Sequence, residues 1–408
     1  MDVSYPEHAR AFGVEVRAWL EANLPPGWFV PEFAMPAAER KQFFEDAWPR
    51  RMYDGGWICA SWPKEYGGRG LDLMESVALA EEFARANAPL RVSSLGELLV
   101  GPTILQWGTE QQKQEFLPQI LRGEIIWCQG FSEPAAGSDL ASLACEGVIE
   151  GDEIVVTGEK IWTSEAEDSD YIFILVRTSA DKPRHAGISF LLMPMRQDGV
   201  EVVAKPQPDG SRGFNKVEFR AARCPIANVV GGLDNGWRVA MTTLGFERGT
   251  SATTGYHRFR AEREDMFDAA RRTGASRDDR VRQRLAQAWI ITEIMRVNGY
   301  RSLTNVLLGR SEPGLEMTHK VFWSDYSQWS TKLAIDVLGM AGQILTGTST
   351  DVRSGSVGLG KRPQVHAYPA SPLQQSFFFA RGESIYGGTS EIQRNLIAER
   401  ALGLPKGP

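Results

Sequence analysis

The sequence predicts an α+β protein in three successive parts: an N-terminal α-helical domain over 1–124, a middle β domain of barrel or sandwich type over 125–235, and a C-terminal α-helical domain over 236–408. Three observations predict it. Apolar residues recur at helical spacing in the first part, alternate with a period of two in the second, and return to helical spacing after Gly236. The strand–helix alternation of a doubly wound fold is missing, and no G-x-G-x-x-G follows a strand, so a nucleotide would have to be held in another way. Finally, 408 residues exceed what one core normally encloses.

Each element has its own signal. "HARAFGVEVRAWLEANL" places Phe12, Val16, Trp19 and Leu20 on one helical face and stops at Pro25, Pro26 and Gly27. "AERKQFFEDAWPRRMYDGG" predicts a helix ended by a glycine pair, "LMESVALAEEFARAN" a third after the loop "WPKEYGGRGLD", and "TEQQKQEFLPQIL" a further one. In the middle part "EGVIEGDEIVVTGEKIWTS" predicts a hairpin turning at Glu150, Gly151 and Asp152, and "DYIFILVRT", "GISFLLMPM", "GVEVVAKP" and "KVEFRAARCPIANVV" follow as strands. Beyond Gly236, helices are predicted around 236–272, 278–308 and 315–340, with breaks at Gly274, Pro313 and Gly342. A last helix is capped by Thr389 and Ser390, with Ile392, Leu396 and Ile397 at helical spacing.

Composition narrows the function. The opening "MDVSYPEHARAFGVEVRAWLEA" is charged throughout and no apolar run reaches the roughly 18 to 20 residues of a membrane helix, so the chain is expected to be neither exported nor membrane-spanning. A net charge of −6 with interleaved signs argues against a nucleic-acid surface, and the run "RFRAERED" reads as a solvated helix face. Cys59, Cys128, Cys145 and Cys224 are scattered, as are the histidines, so neither disulfides nor a metal site is predicted and a reducing, cytoplasmic setting fits.

Three stretches carry candidate chemistry. "WCQGFSEPAAGSDLASL" sets small residues and hydroxyls beside a strand end; it is either a polar strand-to-strand loop or a set of free amides cradling an anion such as pyrophosphate. In "EKIWTSEAED", Trp162 either covers the sheet edge or supplies a ring on which a planar cofactor stacks. "SIYGGTSEIQRNLIAER" places Gly387 and Gly388 where the backbone turns tightly or lets something large come close.

These stretches, together with "WGTEQQKQEFLPQILRGE" and "PKEYGGRGL", resemble the ordered motifs of the acyl-CoA dehydrogenases along nearly the whole chain. The resemblance implies a C-terminal four-helix bundle, and FAD lying between the sheet of one subunit and helices of its neighbour. It implies cofactor contacts from Gln129, Phe131, Ser132, Gly137, Ser138, Trp162, Thr163, Ser164, Thr389, Ser390 and Glu391, with Trp162 against the isoalloxazine and Ser164 in place of the threonine that bonds flavin N5. The acyl-CoA substrate would meet Ser138, Arg248, Tyr386, Gly387 and Gly388. The implied reaction removes the α-proton of the thioester while hydride leaves the β-carbon.

Many members carry a glutamate where this chain has Gly387. A base is still required, and in the isovaleryl-CoA type it precedes an arginine on a C-terminal helix; here "TTLGFERGTS" makes Glu247 the candidate base and Arg248 its neighbour. The stretches that usually meet the adenosine end of a neighbour's FAD are altered: "AARRTGASRDDRVRQ" lacks Phe-Gly, and "AIDVLGMAGQ" has Asp336 and Met340 at the matching places. An α2β2 heterotetramer with a homologous partner chain is therefore expected over a homotetramer, as in bacterial enzymes acting on steroid side chains, with an electron-transfer flavoprotein as acceptor. A flavin oxidase or monooxygenase on the same scaffold, or a non-catalytic subunit, are the rival readings.

Overall fold

The structure is a computed structural model that describes residues 5–30, 33, 35–36, 39, 42–90, 93–208, 212–310, 312–344 and 371–406, without the side chains of 247–254, 313 and 316. The N-terminal part contains α1 (Glu7–Asn23), α2 (Trp48–Asp54), α3 (Leu73–Arg85), α4 (Gly101–Trp107) and α5 (Glu110–Arg122). Asp72 and Thr109 start α3 and α5 with capping boxes, each accepting from the third helical amide while Glu75 or Gln112 reaches back. Phe12, Val16 and Leu20 of α1 are buried as the spacing predicts. The predicted second helix passes through a π turn over Phe43–Ala47 before α2, and a second π turn, Gly96–Val100, runs directly into α4, which the sequence reading passed over.

The middle part is one eight-stranded sheet: β1 (Trp127–Gly130), β2 (Glu146–Glu150), β3 (Glu153–Ser164), β4 (Tyr171–Arg177), β5 (Ile188–Pro194), β6 (Val200–Lys205), β7 (Phe214–Pro225) and β8 (Val229–Val230). The order is β6-β7-β3-β2-β4-β5-β8, with β1 paired to β4. Gly151, at φ +67°, turns the β2–β3 hairpin at the predicted place. The run read as one last strand is β7, a short 3-10 turn and β8. Strand alternation divides the sheet between two cores. Phe173, Leu175, Phe190 and Leu192 face the N-terminal helices, while Ile172, Ile174, Leu191 and Met193 meet Ile154, Val156, Val217 and Phe219 in a separate interior of sandwich type.

The C-terminal part contains α6 (Gly236–Thr254), α7 (Tyr256–Thr273), α8 (Asp279–Leu307), α9 (Pro313–Leu338), α10 (Pro372–Glu383) and α11 (Ser390–Leu396). The helix expected over 236–272 is two, divided at Gly255. Pro313 opens α9, where its missing N–H costs nothing. A third core, with Phe259, Met266, Leu285, Met295, Leu333 and Leu373, joins α7, α8, α9 and α10 as a bundle. Among the described residues no helix is long and apolar enough to cross a membrane.

One sequence reading is corrected in part here. Arg260, Ala261 and Glu264 of "RFRAERED" are exposed, but the side chains of Arg258, Glu262 and Arg263 are 29%, 16% and 4% exposed. Besides their local pairs with Glu262 and Glu264, Arg258 and Arg263 meet Glu383 on α10 and Glu293 on α8, out of reach of any local pattern.

Candidate active site

The polar stretch after β1 leaves and rejoins the sheet on the same strand. Trp127–Gly130 run parallel to Tyr171–Ile174, and Glu146 pairs with Arg177 further along β4. Between these ends Glu133 and Ala136 close a turn with reciprocal amide-to-carbonyl bonds of 3.0 and 3.1 Å. Below the turn is an ion pair that the sequence reading missed. Lys160 is fully buried, with Nζ 2.7 Å from Glu133 Oε1 and 3.2 Å from the Phe131 carbonyl oxygen. The same carboxylate accepts from the amides of Ala144 and Cys145 at 2.7 and 2.9 Å. Burial holds the Lys160 ammonium below the usual lysine range, against the opposing pull of Cys145 and Glu133. A signal was present, because Lys160 has the same strand parity as the inward-facing Ile154 and Val156.

The loop is also tied to β3 by the Ile161 amide, 2.9 Å from the Ser132 carbonyl oxygen. The next residue is Trp162. Register between β3 and β7 slips between Lys160 and Thr163, and Trp162 adopts φ +60°, a left-handed conformation that a bulky residue keeps only where its surroundings enforce it. The consequence is an indole 57% exposed, resting edge-on against Phe214 with ring centres 6.2 Å apart. Thr163 turns inward, fully buried, and its Oγ1 has no hydrogen-bond partner. Ser164 is half-buried opposite Phe214.

Gln129 and Ser132 are half-buried, while Gly137 and Ser138 are exposed, and a Cβ added at Gly137 would meet nothing within 4 Å. Phe131 differs from its expected role: its ring is buried against Phe173 and Phe190, at 5.8 and 6.1 Å, because it continues the inward parity of Trp127. Only its main chain borders the loop.

A second group forms between α10 and α11. Gly387 and Gly388 have φ of +64° and +94°, and a Cβ on Gly388 would come within 2.5 Å of Gln393 Nε2, which donates to the Gly387 carbonyl oxygen at 3.2 Å. The glycine pair is thus required by the turn itself. The Tyr386 hydroxyl donates to Glu383 Oε1 at 3.3 Å. Thr389 caps α11, accepting from the Ile392 amide at 3.2 Å. Ser390 does not cap: its Oγ is buried without a partner, and its amide donates to the Ser384 carbonyl oxygen at 3.0 Å. The buried side of α11 is Ser390 and Gln393, not the apolar set, and Ile392 is 37% exposed. So short a helix lies on the turn it closes, and the residues completing that turn face inward. The Glu391 carboxyl is exposed and held below its usual range by its own amide and the Thr389 hydroxyl.

Glu247 and Arg248 lie on the helical backbone of α6, and their side chains fall outside the described part of the structure. The helix is fixed just ahead of them. Thr243 Oγ1 is 2.8 Å from Thr103 Oγ1 in a fully buried contact, and Trp107 Nε1 donates to Thr242 Oγ1 at 3.1 Å. Leu244 and Phe246 are half-buried against the first core. At the other candidate cofactor region Asp336 Oδ2 lies 2.7 Å from Arg284, and Met340 is 81% exposed.

The exposed indole, the open main chain at Gly137 and the unpaired hydroxyls of Thr163 and Ser390 suit a flat heterocycle with a phosphate tail. The chain belongs to the acyl-CoA dehydrogenase family, matching its N-terminal domain over 6–124, its middle domain over 128–224 and its C-terminal domain over 234–402. It is an acyl-CoA dehydrogenase, and the family implies a flavin cofactor. It is 40% identical over 402 residues, 97% of each chain, to the acyl-CoA dehydrogenase IpdE1 of Mycobacterium tuberculosis, and 32% identical to FadE26 of the same organism over 87% of each. Among solved structures, it superposes on the Tcur3481–Tcur3483 steroid ACAD with a TM-score of 0.80 at 28% identity, and on the ChsE4–ChsE5 complex of M. tuberculosis with 0.78 at 27%, covering the whole of both chains in each case.

Proposed function

We propose that this chain catalyses FAD-dependent α,β-dehydrogenation of a bulky, steroid-side-chain acyl-CoA, with Glu247 as the base. The single observation that carries the reading is Trp162, presented to solvent by a strained bulge directly after Ile161, whose amide ties the loop following β1 to β3. Trp162 would support the ring system, Gln129, Ser132, Gly137 and Ser138 the pyrophosphate side, and Thr163, Ser164, Thr389, Ser390 and Glu391 its polar edges. A bound FAD supplies the acceptor for the hydride that leaves the β-carbon. The chain's own residues do the rest. Glu247 takes the α-proton with Arg248 beside it, and the Gly387 amide donates to the thioester oxygen as enolate charge develops. Ser138, Tyr386 and Gly388 border the acyl-CoA.

Support for a bulky substrate comes from the likeness to a steroid ACAD. Support for an α2β2 heterotetramer comes from the two-component composition of both solved relatives, and from Asp336, whose carboxylate is paired with Arg284 where a neighbour's phosphate-bearing cofactor would approach. In this reading the domains divide at 124/125 and 235/236, electrons pass to an electron-transfer flavoprotein, and the enzyme works in the cytoplasm. Glu247→Gln tests the assignment: flavin content should be retained while substrate no longer bleaches the flavin. An unchanged rate of bleaching refutes it.

A further inference from the structure

The bundle contains a buried charge network used by nothing above. Glu383, the last residue of α10, is fully buried, and its Oε1 lies 2.6 Å from Arg258 Nη1 of α7. Arg258 Nε donates to Glu262 Oε1 at 2.8 Å, and its guanidinium lies over the rings of Phe259 and Phe379, at 5.0 and 5.9 Å. Burial pushes the Glu262 carboxyl above its ordinary range, against the pull of Arg258. Taking these charges out of water is costly, and hydrophobic residues of equal volume often stabilise a bundle as well or better. The contacts of the pair give it a role beyond stability.

It touches the glycine turn. Glu383 is three residues before Tyr386, and its Oε1 accepts from the Tyr386 hydroxyl as well as from Arg258. Its carbonyl oxygen accepts from Lys320 Nζ of α9. The next residue, Ser384, takes a 2.7 Å hydrogen bond from Gln328 on its Oγ and one from the Ser390 amide on its carbonyl oxygen. The chain entering the turn is thus gripped from α7 and α9 at successive residues, and the Tyr386 ring, directly before Gly387, is oriented by the same carboxylate.

We propose that Arg258 and Glu383 are positioning residues for the reaction, a buried pair that orients Tyr386 and thereby aims the Gly387 amide at the thioester oxygen. The inference rests on the reading that Gly387 N–H polarises that oxygen. Gly387 has no side chain of its own, and Gln393 holds only its carbonyl oxygen, so the direction of its amide depends on the peptide that Tyr386 carries into the turn. An oxyanion donor removed outright costs on the order of 10²–10³ in kcat, and a misaimed one costs part of that.

The test uses the flavin-loaded holoenzyme, expressed with its partner chain if one is needed, and carbonyl-labelled cyclohexylacryloyl-CoA as a non-reacting probe read by infrared difference spectroscopy. In the wild type and in Glu247→Gln the bound carbonyl should be shifted to low frequency. In Glu383→Gln the shift should shrink and kcat fall by roughly ten-fold or more, with KM within about two-fold. Arg258→Lys, which keeps a cation beside Glu383, should recover most of both. No shift in the wild type would remove the Gly387 reading itself. A normal shift with Glu383→Gln indistinguishable from wild type in both frequency and kcat would overturn the positioning role alone. Should Glu383→Gln fail to fold, Tyr386→Phe removes only the hydroxyl that Glu383 holds: a reduced shift supports the proposal and an unchanged one sinks it.

Discussion

Replacing Glu133 by alanine would strip three donors of one acceptor group at once: the Lys160 ammonium at 2.7 Å and the amides of Ala144 and Cys145 at 2.7 and 2.9 Å. Lys160 is fully buried and would keep only the Phe131 carbonyl oxygen at 3.2 Å. Breaking a buried pair from one side costs about 3–5 kcal/mol, since the partner is left charged or must give up its proton. The two stranded amides add to this unless water fills the space, so a loss of about 4–6 kcal/mol is expected, a large part of the stability of an ordinary domain. Lys160→Met should cost less, about 2 kcal/mol, because Glu133 keeps both amides. The double replacement Glu133→Gln with Lys160→Met should recover only part of the loss: no charge stays buried, but the Ala144 and Cys145 amides bond to different carboxylate oxygens and the carboxamide offers one acceptor, so one amide is left facing its NH2. Urea unfolding of the flavin-free protein, compared at equal slope, reads these differences without the added stability that a bound cofactor gives. Equal costs for Glu133→Ala and Lys160→Met, or a cost below about 1 kcal/mol for the former, would refute the account of the loop as hung from this carboxylate.

Further outcomes follow from other features. Trp162→Ala removes the exposed ring while leaving the two cores untouched, so flavin retention should fall at least several-fold, measured as cofactor per chain after dialysis, with the melting temperature of the apo form little changed. Gly388→Ala puts a Cβ into the left-handed region and within 2.5 Å of Gln393 Nε2, and should cost about 2 kcal/mol or more by denaturation while lowering kcat. Burial and the nearby Arg260 push the His257 imidazole down to about 4. Because its folded value lies below that of the unfolded chain, the unfolded state binds the extra proton first, and stability drains away as pH falls from about 6.5 towards about 4; His257→Gln should flatten that slope in urea titrations run across the window.

Local patterns disclosed most of the architecture. The change of period near residue 125, the hairpin at Gly151 and the helices that open after Asp72 and Thr109 were all legible, because each is settled by residues within one or two turns of chain. What could not be read depends on distant partners. β1 is four residues long and acquires its strand character from β4, more than forty positions later. The run from Arg258 to Glu264 looks like solvent-facing charge until Glu383 and Glu293 are placed against it. Of the candidate site, Trp162 and the glycine turn were singled out from residue type, whereas the Glu133–Lys160 support escaped notice: strand parity marks Lys160 as inward-facing, but nothing local joins it to Glu133 in another motif.

The anchoring of both ends of the loop on β4 has an evolutionary consequence. Gly130 is held beside Ile174 and Glu146 beside Arg177, so the stretch between them springs from two points a few residues apart on one strand. Residues added or deleted in that span would leave the β4 pairings in place but would draw Ser132 and Glu133 off Ile161 and Lys160 on the strand behind. The mount therefore fixes the length of the span as well as its two ends, so a change in what it meets is expected to come by substitution at its exposed positions, such as Gly137 and Ser138.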